Sequence, residues 1–253
     1  MEEIVPGCIE SMSKELRNGF DKFFIEEMVP GLIHNFANPL NGIMGRSSLI
    51  QRRMTDQLKK TAYPEIMEMI KNQQTVISDI EIVNHEAERL SDILRVLSET
   101  FMVVADTSTQ PINVSAMISL QMRFFEFNLE FKHNVKRKLE LEQDIPEIMG
   151  SPSDYFLFFS AILRHFIRSV STEASKEFKI STKAHTDFVT VEIGHSSIGR
   201  DLELETELKE IKYESTDLSG IDLFIEKYGA KVRVLREGKR KMWMIDIPFN
   251  QGQ

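Results

Sequence analysis

One histidine of the chain stands in a setting that could do chemistry. His34 lies in the string GLIHNFANPLNGI, Asn35 and Asn38 follow it, and Pro39 comes five residues after it inside an otherwise helical run. A proline within a helix removes a hydrogen bond and costs about 3 kcal/mol unless a kink is useful. An imidazole exposed one turn before such a kink is accessible to a second protein. Taken alone, however, a histidine on a helix is most often an ordinary surface residue, and that interpretation stays open.

Two long helices must position this histidine. Apolar residues alternate at spacings of three and four over about five heptads in the second helix, and less regularly in the first. The second helix carries Ile66, Met69, Gln73, Val76, Ile80, Val83, Ala87, Leu90, Leu94, Leu97 and Phe101, and the first carries Ile33, Phe36, Leu40, Ile43, Ser47, Ile50 and Met54. The segment KKTAYPEI between them predicts a short turn, with Pro64 suited to a first helical turn. Because His34 follows seam residue Ile33, it is expected about 100° away from the seam.

A hairpin of two helices cannot surround its own apolar seam. A second copy of the chain is the simplest partner, and the pattern therefore predicts a dimeric four-helix bundle. The alternative is that the C-terminal half of the same chain covers the seam.

The loop ADTSTQPINV ends the heptads and predicts a domain boundary. We expect a helical hairpin over residues 12–106 and a second domain over residues 112–250. The second domain reads as helix, strand, helix, two strands, helix and two strands. That order predicts an α+β fold in which helices cover one face of a sheet, so that the C-terminal half is an α/β sandwich.

The first helix of this second domain runs from Val114 to about Lys132 and the first strand is VKRKLELE; the loop IPEIMGSPSDY follows, where Ser153 or Asp154 could cap a helix over Tyr155–Val170. FKISTKA and FVTVEIG alternate as two strands, Ile221–Tyr228 reads as a helix, and KVRVLRE and KMWMIDIP read as a closing strand pair. An aromatic core is expected from Phe124, Phe125, Phe127, Phe131, Phe156, Phe158, Phe159 and Trp243; the alternative is that some of the phenylalanines line a groove.

Bulk composition excludes several classes of protein. The 253 residues carry a net charge of -8, which argues against a nucleic-acid partner. One cysteine, Cys8, excludes an internal disulfide and fits a reducing compartment. No apolar run approaches the length of a membrane span, and the acidic N-terminus lacks the features of a signal peptide, so we expect a cytoplasmic protein with no membrane partner. No histidines pair with Cys, Asp or Glu at a metal-ligand spacing, so no metal site is predicted.

The string HNFANPLNGI resembles the phosphoacceptor box of histidine kinases. The residues that match the box are His34, Asn38, Pro39, Leu40 and Ile43. Further on, PEIMGSPSDYFLFFSAI is similar to the entry into that family's ATP-binding domain, and IEKYGAKVRVLREGKRKMWMIDIP to its last helix and strands. The resemblance implies a dimerisation and phosphotransfer hairpin followed by an ATPase-like domain, and a response-regulator receiver domain as partner.

The same resemblance shows where the ATP site departs from the family. Ala161 and His165 stand where the family has two asparagines, one of them the Mg²⁺ ligand. His195 replaces the aspartate that reads adenine. The degenerate cofactor-binding positions are His165, His195, Ser197, Gly199 and Gly220. The acidic lid segment ELETELKEIKYEST would repel a triphosphate. We therefore expect no bound cofactor, with ATP binding lost and Mg²⁺ supplied by the response regulator.

The two asparagines also differ in what the resemblance implies. Asn35 replaces the usual glutamate, which acts as a general base during attack on ATP; an amide cannot accept that proton but can hydrogen-bond the ring and set its tautomer. Asn38 occupies the position of the family's phosphatase residue, which orients a water, or is a plain helix-surface amide. His34, Asn38 and Asn35 are therefore the candidate catalytic residues.

Three functions are consistent with these observations. The first is a two-component protein that carries phosphate on His34 to or from a response-regulator aspartate. The second is a diverged but active soluble sensor histidine kinase. The third is a non-catalytic pseudokinase that binds and sequesters a response regulator. Whether the chain is an enzyme depends on which of these holds.

Overall fold

The structure is a computed structural model, and it describes residues 6–59, 66–171, 177–195, 205–206, 218, 220–237 and 240–249. These residues fall into two compact units. One unit is Pro30–Ser98; the other combines the described residues of Met1–Val29 with those of Glu99–Gln253. The boundaries fall inside long helices and differ from the expected division at residues 106–112.

Long helices form the first part of the chain, as the heptads predict. Helix α1 spans Pro6–Phe23, a single π-helical turn spans Phe24–Met28, α2 spans Val29–Lys59 and α3 spans Ile66–Ala105. In the π-turn the Val29 N–H donates to the Phe24 carbonyl, one residue beyond the usual α-helical spacing. The predicted turn around Pro64 lies outside the described residues.

Within Pro30–Ser98, α2 and α3 run antiparallel. A buried carboxylate, Asp79 on α3, fixes their register, because it pairs with Arg46 of α2 at 2.9 Å and also with Arg53. Asp79 is only 2% exposed, so two guanidinium partners compensate its loss of hydration. Nearer to His34, Gly42 of α2 lies against the Glu86 side chain of α3.

The predicted seam divides into a half-covered side and an open side. At one heptad position the residues are half-buried between the two helices: Phe36, Ile43, Ile50, Val76, Val83 and Leu90. At the other position every residue is exposed: Ile33, Leu40, Ser47 and Met54 on α2, and Ile80, Ala87 and Leu94 on α3. Ile33 is 65% exposed and Leu94 54% exposed. A single hairpin therefore leaves uncovered a strip that is apolar except at Ser47, which we call the open strip.

The second unit is an α+β sandwich, as predicted. Its strands are β1 Gln110–Ile112, β2 Lys136–Leu141, β3 Ile148–Gly150, β4 Glu177–Ala184, β5 Phe188–His195, β6 Glu205–Thr206, β7 Lys231–Glu237 and β8 Arg240–Pro248. Its helices after α3 are α4 Val114–Phe125, α5 Leu129–Asn134, α6 Pro152–Ser171 and α7 Ile221–Tyr228. The main sheet has the order β2-β4-β5-β8-β7-β6, in which β2 and β4 are parallel and the other pairs are antiparallel.

Alternation along the strands separates an apolar inner face from a polar outer face. Val191, Ile193 and Ile245 of the central strands are fully buried. On the outer face, Thr190 donates to Asp246 at 2.6 Å and Lys179 pairs with Glu140 at 2.9 Å. The predicted aromatic core is confirmed, and its buried members are Phe124, Phe125, Phe127, Phe131, Phe156, Phe158, Phe159 and Trp243.

Helix α1 belongs to the sandwich, which the sequence did not predict. Leu16, Phe20 and Phe23 are at most 2% exposed. The Phe20 ring lies 5.9 Å from the rings of both Phe124 and Phe156, and α1 packs along α6 and α7. The N-terminal helix thus completes the helical layer of a unit whose other elements follow residue 99.

Smaller local differences have simple causes. The predicted helix from residue 114 to about 132 is two helices, because the Asn128 side chain accepts the Phe131 N–H and starts α5. Two predicted loops contain the three-residue strands β1 and β3, which pair with each other. At the start of α6 the capping oxygen belongs to Ser151, which accepts the Asp154 N–H at 3.4 Å, rather than to Ser153 or Asp154.

Truncation of Phe20 tests the place of α1. Phe20→Ala should lower the free energy of unfolding by about 3–5 kcal/mol, because it removes a buried ring and leaves a cavity among other rings. The measurement is urea denaturation followed by circular dichroism. Lys22→Ala, which changes an exposed position of the same helix, should stay within about 0.5 kcal/mol of the original chain. Equal effects of the two substitutions would show that α1 does not pack in the sandwich.

Candidate functional site

His34 lies on the first turns of α2 with an exposed side chain, as predicted. Helical periodicity explains its surroundings: Gly31, Leu32 and Asn35 face the buried side of the helix, whereas Ile33 and His34 face outward. Ile33 begins the open strip, so the imidazole lies beside an apolar surface that one chain does not cover.

The two asparagines take different positions around the imidazole. Asn35 is only 4% exposed, and its amide Nδ2 donates to the Gly31 carbonyl at 2.8 Å. Asn38 is exposed one turn beyond His34, and its Nδ2 lies 3.5 Å from His34 Nδ1. The amide beside the ring is thus that of Asn38, whereas Asn35 ties its side chain to the buried side of the helix.

Pro39 lies inside α2 without ending the helix. It is buried, and it has no N–H to donate to the carbonyl of Asn35. The helix near His34 is thus irregular at two points, the π-turn at Phe24–Met28 and Pro39.

Three described positions that the resemblance assigns to an ATP site hold buried side chains. Ala161 is fully buried, and His165 is 7% exposed with its ring 6.1 Å from that of Trp243. The His195 side chain is 2% exposed, lies 6.0 Å from the Phe166 ring, and accepts the Lys241 N–H through Nδ1 at 3.0 Å. Both imidazoles therefore belong to the sandwich interior. Ser197, Gly199 and most of the acidic lid segment lie outside the described residues.

Two glycines explain the backbone near these positions. Gly220 precedes α7 with a φ of 83°, a left-handed conformation that favours glycine. At Gly194 a Cβ atom would collide with the backbone of Lys241, so glycine allows β5 and β8 to approach closely just before His195.

A polar junction, which the sequence did not reveal, ties the end of α3 to the sandwich. The Val104 carbonyl accepts bonds from Arg17 Nη2 and from the Ser153 hydroxyl, both at 2.8 Å. The Ser153 N–H donates to the Asp106 carbonyl at 3.0 Å. Donation from Ser108 lowers the pKa of the Asp106 carboxyl, whose oxygens thus hold the following loop.

A second polar cluster lies beneath α6. The Tyr228 hydroxyl donates to Asp154 at 2.7 Å and accepts the Ser151 N–H at 3.2 Å. Burial, and then the charge of Asp154, raise the pKa of the Tyr228 hydroxyl, so it remains a proton donor in this cluster. Lys227 pairs with the same carboxylate at 2.7 Å. The members of this cluster bond to one another within the sandwich, which is typical of a cluster with a structural role.

Within the described ranges, no group of three or more His, Cys, Asp or Glu side chains could hold a metal ion. None of the helices there is long and apolar enough to cross a membrane.

Comparison with solved structures returns histidine kinases. The chain is similar to the Acinetobacter baumannii histidine kinase AdeS at 14% identity and a TM-score of 0.45, over 83% of this chain and 98% of that one. It is similar to the histidine kinase ThkA, solved in complex with response regulator protein TrrA, at 15% identity and a TM-score of 0.46, over 98% and 69% of the two chains. The histidine kinase domain of the Erythrobacter litoralis EL346 blue-light activated kinase matches at 15% identity and a TM-score of 0.42, over 81% and 94%.

No protein-family model and no curated protein sequence matches the chain. The likeness to solved structures at these identities concerns the fold alone.

Proposed function

We propose that this chain carries phosphate on His34 to or from the aspartate of a response-regulator receiver domain, as part of two-component signalling. The observation that supports this proposal is the exposed His34 imidazole on the hairpin, with the Asn38 amide 3.5 Å from its Nδ1. A receiver domain could approach such a ring without unfolding any part of the helix.

Phosphoryl transfer requires few catalytic groups from the histidine protein itself. The transferred phosphoryl group is loose and metaphosphate-like, so positioning and charge stabilisation dominate the rate. In this proposal the receiver domain supplies Mg²⁺ and the acidic pocket, and the chain supplies a nucleophilic nitrogen on a rigid helix. The buried Asp79 and its two arginine partners contribute to that rigidity, because they fix the two helices against sliding.

We propose further that the C-terminal sandwich does not bind ATP. His165 and His195 are buried at positions where the resemblance places polar contacts to the nucleotide. The His195 ring also holds the Lys241 backbone, so turning it toward a ligand would break the bond between Nδ1 and the Lys241 N–H. Losing such a buried bond costs about 1–3 kcal/mol, which ATP binding would have to repay.

The proposed active form is a homodimer. The open strip is apolar on α2 except at Ser47 and apolar over two heptads on α3, and such exposed stripes are rare on monomers. A second copy offers the same strip, and two half-covered hairpins would complete the four-helix bundle.

Removal of the imidazole tests the phosphate-carrying role. His34→Ala should abolish uptake of label from a response regulator preloaded with labelled phosphate, because no other atom of the helix replaces the nucleophile. Its stability should change by no more than about 0.5 kcal/mol, since the side chain is exposed. His85→Ala, which removes another exposed histidine of the hairpin, is the matched control and should leave uptake unchanged.

Two outcomes would contradict the proposed role. If His34→Ala still accepts label, the phosphoacceptor lies elsewhere in the chain. If the unaltered chain binds a regulator tightly but never accepts label, the sequestering pseudokinase becomes the better account.

Calorimetry tests the loss of ATP binding. We expect no affinity for Mg²⁺-ATP tighter than about 1 mM, near -4 kcal/mol, because buried imidazoles occupy the expected contact positions. Micromolar, Mg²⁺-dependent binding would refute this expectation and favour an active kinase.

A charge placed on the open strip tests the dimer. Sedimentation velocity should show a dimer of the full chain at micromolar concentration. Leu94→Glu should convert it to a folded monomer, because Leu94 is 54% exposed in one chain but would bury an unpaired carboxylate in the bundle. His85→Glu, on the opposite face of α3, should leave the dimer intact. A well-folded unaltered chain that sediments as a monomer would overturn the assembly.

A further inference from the structure

The Asn38 side chain has a role at His34 beyond the water-orienting one that the resemblance implies. We propose that its amide oxygen accepts the His34 Nδ1–H and thereby holds the imidazole in the tautomer whose Nε2 lone pair attacks phosphorus. This inference rests on the proposed function, because it concerns how His34 receives phosphate. It assigns to Asn38 the task that the sequence suggested for Asn35.

The first step concerns which amide can act on the ring. The Asn35 amide is buried and donates to the Gly31 carbonyl at 2.8 Å, whereas the His34 ring is exposed. The Asn38 amide and His34 Nδ1 are 3.5 Å apart, at the outer limit of a hydrogen bond. A spacing of four residues brings two side chains to neighbouring positions on one helix face, which is why Asn38 can reach the ring.

The second step concerns the direction of that bond. A neutral imidazole carries a proton on one ring nitrogen and a lone pair on the other. If Asn38 Nδ2 donated to Nδ1, the proton would stand on Nε2, and the nitrogen farther from the helix backbone could not attack. Rotating the amide by 180° exchanges its oxygen and nitrogen at nearly the same positions. The oxygen then accepts Nδ1–H, and Nε2 keeps its lone pair.

The transfer step is balanced in this tautomer. The Nε2 lone pair forms the bond to phosphorus of the receiver's aspartyl phosphate. The bond from phosphorus to the acyl oxygen breaks, and the aspartate leaves as a carboxylate with that electron pair. The ring keeps its Nδ1 proton throughout and becomes a cation, whose charge the Asn38 oxygen stabilises. Asn38 is thus a positioning residue, since it acts on phosphate only through His34.

Nuclear magnetic resonance tests the tautomer on the full, unphosphorylated chain. The ¹⁵N shifts of the His34 ring should show the proton on Nδ1 in the unaltered chain. Asn38→Ala should lose this preference. Asn41→Ala, which removes an exposed amide two turns beyond His34, is the matched control and should keep it. An unaltered preference in Asn38→Ala would overturn the proposal.

Asn38→Asp decides the direction of the bond, because a carboxylate can only accept at neutral pH. If Asn38 accepts through its oxygen, the aspartate variant keeps the proton on Nδ1. If Asn38 instead donates, the unaltered chain carries the proton on Nε2 and the aspartate variant moves it to Nδ1. The second result would overturn the proposal, and it does not depend on activity.

Phosphoramidate, a small phosphate donor that releases ammonia, identifies the attacking nitrogen. The ³¹P and ¹⁵N shifts of the treated chain should show phosphate on Nε2 of His34. Asn38→Ala should be phosphorylated about five times more slowly, a factor that corresponds to about 1 kcal/mol. Phosphate on Nδ1 would overturn the inference.

The same measurements separate the inference from the proposed function. If the tautomer and the attacking atom are as expected but no regulator exchanges phosphate with the chain, the proposed function fails and the role of Asn38 on the ring stands. If a regulator exchanges phosphate normally with Asn38→Ala and the tautomer is unchanged, the inference fails and the proposed function stands.

Discussion

The open strip and the position of His34 both depend on one geometric constraint: two helices can cover only one side of each other's heptad stripe. In this hairpin the covered side holds Phe36, Ile43 and Leu90, and the opposite side leaves Ile33 and Leu94 open. Because His34 follows Ile33 directly, helical geometry sets it at the edge of the open strip and never inside the hairpin. The stripe that stays open in one hairpin therefore also determines where the imidazole is presented.

Polar interactions then fix the positions of the helices, which the apolar stripe alone leaves adjustable. A heptad repeat permits slippage by whole heptads, but the pairing of Asp79 with Arg46 and Arg53 permits only one register, because any slip would bury an unpaired carboxylate. At the end of α3, bonds from Arg17 and Ser153 to the Val104 carbonyl hold the helix end within its own unit. Each unit thus has a specific polar contact at a place where hydrophobic packing alone would allow several arrangements of similar stability.

Sequence patterns predicted most of the elements, for physical reasons that also explain the failures. The heptads predicted α2 and α3, strict alternation predicted β4, β5, β7 and β8, and the range of α7 agreed with the prediction, because these periods follow from local geometry. The packing of α1 was missed because an amphipathic helix such as the one bearing Phe20 does not specify which surface covers it. The pairing of β1 with β3 was missed because three residues carry no measurable period. At the candidate site the exposure of His34 was predicted correctly, and its role stays a prediction. The sequence did not separate Asn35 from Asn38, which lie less than one turn apart, because it does not show which of them is buried.

Burial also separates two kinds of histidine in this chain. The His195 side chain is buried, and its Nδ1 is hydrogen-bonded to the Lys241 backbone, so this imidazole contributes to the fold. The His34 side chain is exposed, and its Nδ1 lies 3.5 Å from the Asn38 amide. Binding ATP requires many groups to converge in a cavity, whereas accepting phosphate from a partner requires one nitrogen in the correct protonation state. His34 and His195 lie in units with separate cores, so the packing that encloses one does not determine the exposure of the other.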